Sequence, residues 1–228
     1  KKITIGDEVL KSYGTNTYIS VGEEIRVKDL LYGLILRSGN DAAITLSYNL
    51  TNNPNDFIEK MNIKAKDIGM KNTIFENPHG LDEESKNYST AYDMALLSKY
   101  AYNNKIYKNI SSTKKYTLKT NIKSYEWYNR NKLLSKYKYC TGGKNGYTPS
   151  AGKTLVSTAS KDNLNLTIVT LNDPNIYETH ESLYNYYFSR YKNYTLIDKT
   201  TFKFDPDLID KNLYIKDSFV YPLLESEK

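Results

Sequence analysis

The chain has 228 residues, a formal net charge of +6, one cysteine and two histidines. This length can build one domain with a full core, or one domain and a fragment of a second, without disulfides or a structural metal. The single Cys140 excludes an internal disulfide and a multi-thiolate zinc site, and His79 and His180 do not make a histidine-rich metal centre. We therefore expect no metal and no cofactor.

The positive charge does not predict a nucleic-acid-binding surface, because the lysines are scattered singly among Asp, Glu and Asn. Such a surface tolerates an anionic neighbour such as a cell wall or a membrane. The 23 tyrosines fit half-buried packing better than stacking on bases. The sequence has no run of 18 apolar residues, and we expect no signal peptide within it. We expect no nucleic acid partner, and membrane contact only through an anchor outside this chain.

The N-terminal half of the chain predicts short extended pieces followed by helices. Within residues 1–25, "KKITI" and "NTYISVGEEI" are extended patterns. Apolar residues at helical spacing then predict two helices, "VKDLLYGLILR" and "DAAITLSYNL", which meet at the Ser-Gly-Asn tripeptide of residues 38–40. A third helix is closed by Gly69, and a fourth begins at about Thr90 after a loop rich in Asn, Pro and Gly.

The C-terminal half predicts an antiparallel sheet. After a polar strand region, "GKTLVSTASK" and "NLNLTIVTL" flank Asp162-Asn163, which is typical of a tight hairpin. A Tyr-rich helix over residues 177–191 follows, and residues 193–228 contain short strand-like pieces that are too few for a stable domain. Helices followed by a hairpin indicate an α+β or mixed α/β fold.

The segment "GGKNGYTPSAGKTLV" has some features of a phosphate-binding loop. Gly146 and Gly152 enclose five residues, one of them Pro149, whereas the P-loop needs four. The "TLVSTAS" that follows is strand-like, whereas a P-loop opens a helix. We therefore reject nucleotide binding and expect Lys144 and Gly146 to lie on a strand edge.

Four stretches carry a family resemblance: "VKDLLYGLILRSGNDAA", "NTIFENPHGLD", "YSTAYDMALLSKYA" and "GGKNGYTPSAGKTLVSTAS". From residue 1 to about 192, the chain resembles the D-alanyl-D-alanine carboxypeptidases, which are low-molecular-weight penicillin-binding proteins of the serine-peptidase type. The resemblance implies a β-lactamase/transpeptidase-like α+β (mixed α/β) fold, with an antiparallel sheet flanked by helices and an all-helical lobe that carries the Ser-x-Asn motif. It also implies a carboxypeptidase domain over 1–192, and a linker or the start of a small C-terminal β domain over 193–228.

The family uses three elements: Ser-x-x-Lys, Ser-x-Asn and Lys-Thr-Gly. The resemblance implies that Ser38 relays a proton to the leaving amine, that Asn40 orients the substrate amide, and that Lys144 places positive charge near the substrate carboxylate. Gly146 would let a substrate backbone lie along its strand, and the Tyr147 N–H would form half of an oxyanion hole. The implied activity is removal of the terminal D-alanine from peptidoglycan stem peptides outside the cytoplasm, through an acyl-enzyme that β-lactam antibiotics trap.

Two departures from the family pattern are visible. Asn145 stands where the family has threonine, so we expect weaker binding of the substrate carboxylate. No Ser-x-x-Lys precedes Ser38, and we interpret the later matches, which start at Ser111, Ser112, Ser135, Ser150 and Ser189, as accidental. We therefore expect the nucleophile to belong to a preceding segment, and the chain as given to be inactive.

Two alternatives stay open. A β-lactamase of the same superfamily shares Ser-x-Asn and Lys-Thr-Gly, although "NPHGL" fits the carboxypeptidases rather than a loop with a deacylating glutamate. A wall-binding or regulatory relative would keep the groove without catalysis. Among the remaining residues, we expect Asp41 to cap its helix, His79 to fix its loop and Cys140 to pack, and we identify no partner for His180.

Overall fold

A computed structural model describes residues 1–51, 53–203 and 214–228 of the chain. The helices are α1 (Val27–Arg37), α2 (Asn40–Leu50), α3 (Pro54–Asp67), α4 (Ala91–Tyr102), α5 (Lys105–Ser112), α6 (Leu133–Lys136) and α7 (Ile176–Arg190). The strands are β1 (Lys2–Thr4), β2 (Glu24–Arg26), β3 (Lys115–Lys119), β4 (Ser124–Tyr128), β5 (Cys140–Thr148), β6 (Gly152–Lys161), β7 (Leu164–Thr170), β8 (Tyr191–Ile197) and β9 (Phe219–Leu224).

The predicted helices of the N-terminal half are confirmed. α1 and α2 meet at residues 38–40, and α3 begins after Asn53, whose side chain accepts a hydrogen bond from the Asp56 amide. Gly69 follows α3 at a φ of +88°, a conformation that glycine adopts without a steric penalty. α4 begins at Ala91, next to the predicted start, and the Thr90 side chain accepts a hydrogen bond from the Asp93 amide. These local signals therefore place the helices correctly.

The helical lobe also contains two small antiparallel sheets, β1–β2 and β3–β4, so the expectation of an all-helical lobe is too narrow. The β3–β4 hairpin packs on α1 through aromatic side chains. The rings of Tyr32 and Tyr116 stack at 3.7 Å, and Trp127 is buried in the same core. This core holds the end of α1, where the Ser-x-Asn turn begins.

The principal sheet has the strand order β5-β6-β7 and is antiparallel throughout. Asp162 and Asn163 form the predicted hairpin turn, with φ of +51° and +62°, as a two-residue turn with left-handed central residues requires. The register places Lys144 opposite Val156 and Gly146 opposite Thr154. The prediction of an antiparallel sheet is confirmed, and β5 forms one border of the sheet among the described residues.

Helices pack against this sheet and enclose a second core. Leu155 and Ala159, which lie on the same face of β6, are buried with Tyr184 and Phe188 of α7. α4 and α5 also contact the sheet. The structure is therefore the mixed α/β arrangement of an antiparallel sheet flanked by helices that the sequence predicts.

Two local predictions differ from the structure. Of "NTYISVGEEI", only Glu24 and Ile25 lie in a strand. The carboxylates of Asp41 and Glu23 accept hydrogen bonds from the backbone N–H groups of residues 17–20, which a strand would pair with a neighbouring strand. Helix α5 lies in the segment interpreted as a polar strand region. Its Asn104 cap, which accepts from the amides of Ile106 and Tyr107, is the signal that was missed.

The tail forms a separate two-stranded sheet from β8 and β9. β8 begins directly after α7, and the strand-like pieces expected within 204–213 lie outside the described residues. The division into 1–192 and 193–228 stays a prediction. No helix among the described residues has both the length and the apolar character needed to cross a membrane.

Candidate active site

Ser38 lies at the end of α1 in a left-handed backbone conformation, with φ of +58° and ψ of +43°. The amide of the next residue, Gly39, donates to the Gly33 carbonyl at 3.3 Å, so the chain turns sharply into α2. A side chain at Gly39 would approach Thr17 Cγ2 to 2.5 Å, which explains the glycine at the centre of the turn. A non-glycine residue in this region carries strain, and such positions cluster at functional sites.

Asp41 anchors the segment that packs behind this turn. Its buried carboxylate accepts from the amides of Thr17, Tyr18 and Ile19 at 2.9, 2.7 and 3.3 Å, and from the Thr17 hydroxyl at 2.9 Å. It bonds one amide of α2, that of Ala42, at 2.8 Å. The expectation that Asp41 simply caps its helix is too narrow, because most of its bonds hold residues 17–19 against the turn.

Asn40 is buried at the first position of α2. Its Nδ2 donates to the Tyr13 carbonyl at 2.8 Å, and its amide donates to the Thr15 carbonyl at 2.8 Å. Gly14, with a φ of +74°, passes so close that a Cβ there would lie 3.0 Å from Asn40 Nδ2. Residues 13–15 therefore fix the orientation of the Asn40 amide.

Lys144 is brought to this turn by an irregularity at the start of β5. The register shifts between Cys140 and Gly142, which moves the strand relative to β6. A Cβ at Gly143 would lie 2.2 Å from the Val156 carbonyl oxygen, and one at Gly142 would lie 2.5 Å from Ser111 Oγ. The two glycines therefore let the strand pass close to its neighbours just before the lysine.

The side chains of Ser38 and Lys144 meet. Lys144 Nζ donates to Ser38 Oγ at 2.5 Å and also donates to the Asn145 carbonyl. Because the ammonium donates to the serine oxygen, the hydroxyl proton of Ser38 remains available to a third group. The two side chains, 106 positions apart in the sequence, are therefore in direct contact.

The surroundings of Lys144 lower its pKa from the usual 10.5 to about 8. Burial of the ammonium is the main cause, and the nearby positive charge of Arg130 adds to it. Arg130 is itself held next to the turn, because its amide donates to the Leu36 carbonyl at 3.0 Å and its Nη1 donates to Thr15 Oγ1 at 3.3 Å. A lysine with a pKa near 8 can give up a proton close to neutral pH. Sequence reasoning missed Arg130.

The other residues expected at the site follow Lys144 along β5. Asn145 is half-buried, and Tyr147 is 68% exposed. A Cβ at Gly146 would lie 2.8 Å from Thr154 Oγ1 on the paired strand. This glycine therefore has a packing reason within the sheet, in addition to the predicted passage for a substrate backbone.

The later Ser-x-x-Lys matches do not form serine–lysine pairs in the bonds observed. The Oγ atoms of Ser111, Ser112 and Ser189 donate to backbone carbonyls of their own helices. Ser150 Oγ bonds Asp82, while Lys153 Nζ donates to the Pro174 carbonyl at 2.9 Å. These contacts support the interpretation of the matches as accidental.

The two histidines have structural surroundings. His79 Nδ1 accepts from the Leu81 amide at 3.2 Å, which confirms its predicted role in fixing the loop. His180 is fully buried, with Ser157 Oγ 2.7 Å from Nδ1 and Thr170 Oγ1 3.0 Å from Nε2. No local sequence pattern indicates these partners, because they lie on two strands that face α7. Burial lowers the pKa of His180 to about 4.

Comparison with known proteins identifies the family. The sequence matches the D-alanyl-D-alanine carboxypeptidase family over residues 1–175, which is more than half of the chain. The chain belongs to this family. The predicted resemblance is therefore confirmed.

Several carboxypeptidase relatives are similar in sequence. The chain is 35% identical over 164 residues to the D-alanyl-D-alanine carboxypeptidase DacF of Bacillus subtilis, which covers 72% of this chain and 42% of the relative. It is 37% identical over 157 residues to DacC of Escherichia coli, covering 68% of this chain and 38% of the relative. The chain thus spans about two-fifths of the length of these relatives.

Solved structures share the carboxypeptidase fold. A D-alanyl-D-alanine carboxypeptidase from Mycobacterium tuberculosis superposes with a TM-score of 0.78 at 26% identity, over 83% of this chain and 74% of that one. A Streptomyces DD-transpeptidase superposes with a TM-score of 0.77 at 31% identity, over 82% of this chain and 79% of that one. The fold class is therefore that of the penicillin-binding proteins.

Proposed function

We propose that the protein containing this chain is a serine-type D-alanyl-D-alanine carboxypeptidase that removes the terminal D-alanine from peptidoglycan stem peptides outside the cytoplasm. The observation that carries the proposal is the contact between Ser38 Oγ and Lys144 Nζ at 2.5 Å. It joins the Ser-x-Asn turn and the lysine of β5 in one site. Family membership and the lowered pKa of Lys144 support it.

The geometry supports a proton relay. Ser38 can donate its hydroxyl proton to the leaving amine of D-alanine, and Lys144 can return a proton to the Ser38 oxygen that it already contacts. A pKa near 8 favours this exchange, because the lysine is close to its midpoint in the neutral to mildly alkaline range. The nucleophile in this chemistry is the serine of Ser-x-x-Lys, so the proposal requires that serine from outside the 228 residues.

The substrate is proposed to bind along β5. Lys144 and Asn145 would face the terminal carboxylate, the Tyr147 amide would donate to the oxyanion, and Asn40 would orient the substrate amide. β5 borders the described part of the sheet, so its outer edge can pair with an extended peptide. A β-lactam would be trapped at the acyl-enzyme stage in the same place.

The complete gene product that contains this chain tests the proposal. It should become covalently labelled by a fluorescent penicillin and should release D-alanine from a pentapeptide that ends in D-Ala-D-Ala. Lys144→Ala should abolish both signals while leaving the far-UV circular dichroism unchanged.

The other outcomes identify the alternatives. Rapid turnover of the penicillin without stable labelling would indicate a β-lactamase. Reversible binding of stem peptides without labelling or release of D-alanine would indicate a wall-binding protein and would contradict the proposal.

A further inference from the structure

The loop of residues 77–87 is held by its own hydrogen bonds. Asn77 is buried, and its Oδ1 accepts from the amides of His79 and Gly80 at 3.2 and 2.6 Å. Its Nδ2 donates to the Leu81 carbonyl at 2.8 Å and to Ser85 Oγ at 3.0 Å. These bonds fix the backbone on both sides of Asp82.

One side of the 77–87 loop contacts the segment that orients Asn40. The ring of His79 meets the ring of Tyr13 edge-on, with centroids 6.3 Å apart. A Cβ at Gly14 would lie 3.5 Å from Leu81 Cδ1, so the loop also lies against residue 14. Since the Tyr13 carbonyl accepts from Asn40 Nδ2, this side of the loop is joined to the Ser-x-Asn wall of the site.

The other side of the loop bonds the end of β5. Asp82 Oδ2 accepts from Thr148 Oγ1 at 2.6 Å and from Ser150 Oγ. Thr148 Oγ1 in turn accepts from the Ala151 amide at 3.1 Å, which directs its proton to the carboxylate. These bonds lower the pKa of Asp82, so the carboxylate is charged at neutral pH. The loop therefore connects both walls of the site.

We propose that Asp82 is a positioning residue for substrate binding: through Thr148 it holds the Gly146–Tyr147 stretch of β5 at a fixed separation from the Ser38–Asn40 turn. A peptide that pairs with the edge of β5 must contact the Ser38–Asn40 turn at the same time. Loss of the Asp82–Thr148 hydrogen bond should therefore raise KM more than it lowers kcat. The inference rests on the proposed function. It adds a residue that touches neither substrate nor reacting atoms.

The test uses the complete gene product with Asp82→Ala, Asp82→Asn and the neighbouring exposed Glu83→Ala as the matched control. For a D-Ala-D-Ala peptide, Asp82→Ala should raise KM about tenfold and leave kcat within about threefold, the scale of one charge-assisted hydrogen bond. Asp82→Asn keeps an acceptor oxygen and should recover part of the loss. Glu83→Ala should match the wild type. An unchanged KM in Asp82→Ala would overturn the inference. So would a fall in kcat as large as the rise in KM, accompanied by a lowered Tm.

A double-mutant cycle separates positioning from a general effect of charge. Thr148→Val should raise KM to a similar extent, and the double variant with Asp82→Ala should show no further increase. Fully additive effects would mean that Asp82 does not act through Thr148, and the inference would fall.

A readout independent of activity separates this inference from the proposed function. Hydrogen exchange of the amides of Tyr147, Thr148, Ser150 and Ala151 should be faster in Asp82→Ala than in the wild type or Glu83→Ala. If the wild type is labelled by penicillin but exchange and KM are unchanged in Asp82→Ala, the inference alone fails. If exchange rises in Asp82→Ala but neither the wild type nor any variant binds peptide or penicillin, the proposed function fails. The role of Asp82 in substrate binding then fails with it, although its structural effect on the end of β5 stands.

Discussion

Lys144 Nζ lies 2.5 Å from Ser38 Oγ, although 106 residues separate the two in the chain. The contact joins the end of a helix in a left-handed conformation to a strand that is irregular just before the lysine. Together these features place the Ser38 hydroxyl against an ammonium whose pKa is lowered to about 8.

Two substitutions of Ser38 separate its hydroxyl from its backbone conformation. Ser38→Ala and Ser38→Gly both remove the proton relay, so both should lower kcat/KM for a D-Ala-D-Ala peptide by about 100-fold or more in the complete gene product. Only glycine relieves the left-handed strain, so Ser38→Gly should be more stable than Ser38→Ala by on the order of 1 kcal/mol in urea unfolding. Equal stability of the two variants would show that the conformation is not strained.

Removal of the Arg130 charge should raise the pKa of Lys144. The guanidinium disfavours the charged ammonium, so Arg130→Gln should move the pKa of Lys144 upward from about 8. The alkaline limb of the pH profile of penicillin acylation should shift in the same direction, because the protonated lysine persists to higher pH. Lys132→Gln, which removes another exposed charge two residues away, is the control and should leave the limb in place. If the alkaline limb of the acylation profile does not shift in Arg130→Gln, the titration of Lys144 does not determine that limb.

Restoring the family threonine at position 145 should improve binding of the substrate carboxylate. At this position of β5, the threonine hydroxyl would replace an amide group of different length and angle. The free energy of carboxylate binding should improve by about 1–2 kcal/mol, the contribution of one neutral hydrogen bond. Asn145→Thr should therefore raise kcat/KM for peptides with a free terminal carboxylate, and should leave an amidated peptide unchanged. An equal change for both peptides would contradict a role in carboxylate binding.

Burial of His180 should make the stability of the chain depend on pH. The folded ring stays neutral down to a pKa of about 4, whereas the unfolded chain takes up the proton near the usual 6.5. Stability is therefore lost as pH falls from about 6.5 to about 4, by roughly 3 kcal/mol for a shift of this size. Urea unfolding at several pH values measures the free energy of unfolding of the wild type and of His180→Gln. Subtracting one from the other at each pH cancels the contribution of the carboxylates, because both proteins contain them. If the free energy of unfolding depends on pH in the same way in the two proteins, buried His180 is not the source of this pH dependence.

The sequence predicted the elements whose signals are local. The Asp162-Asn163 turn and the helices that meet at Ser38 depend on residues near in the chain, and each is where the pattern places it. The meeting of Ser38 and Lys144 was predicted only through family resemblance, since no local pattern encodes a contact over that separation.

Features that depend on distant partners were missed or misread. Residues 17–20 alternate like a strand, but their amides bond the carboxylates of Asp41 and Glu23. His180 has partners on two strands across the sheet, and Asp82 bonds residues 66 and 68 positions away. In each case the deciding hydrogen bond is between groups that only the fold brings together.

The carboxylate of Asp41 also sets a limit on protein engineering. The Asp41 carboxylate bonds residues 17–19 to the start of α2. The Ser-Gly-Asn tripeptide of residues 38–40 therefore cannot be transplanted alone as an independent loop. A designed scaffold that carries the tripeptide and Asp41 without residues 17–19 would leave this carboxylate without most of its hydrogen-bond donors, and the Ser38 turn without the segment that packs behind it. The smallest transferable unit is two discontinuous segments, and a library that randomises one of them should be screened together with the other.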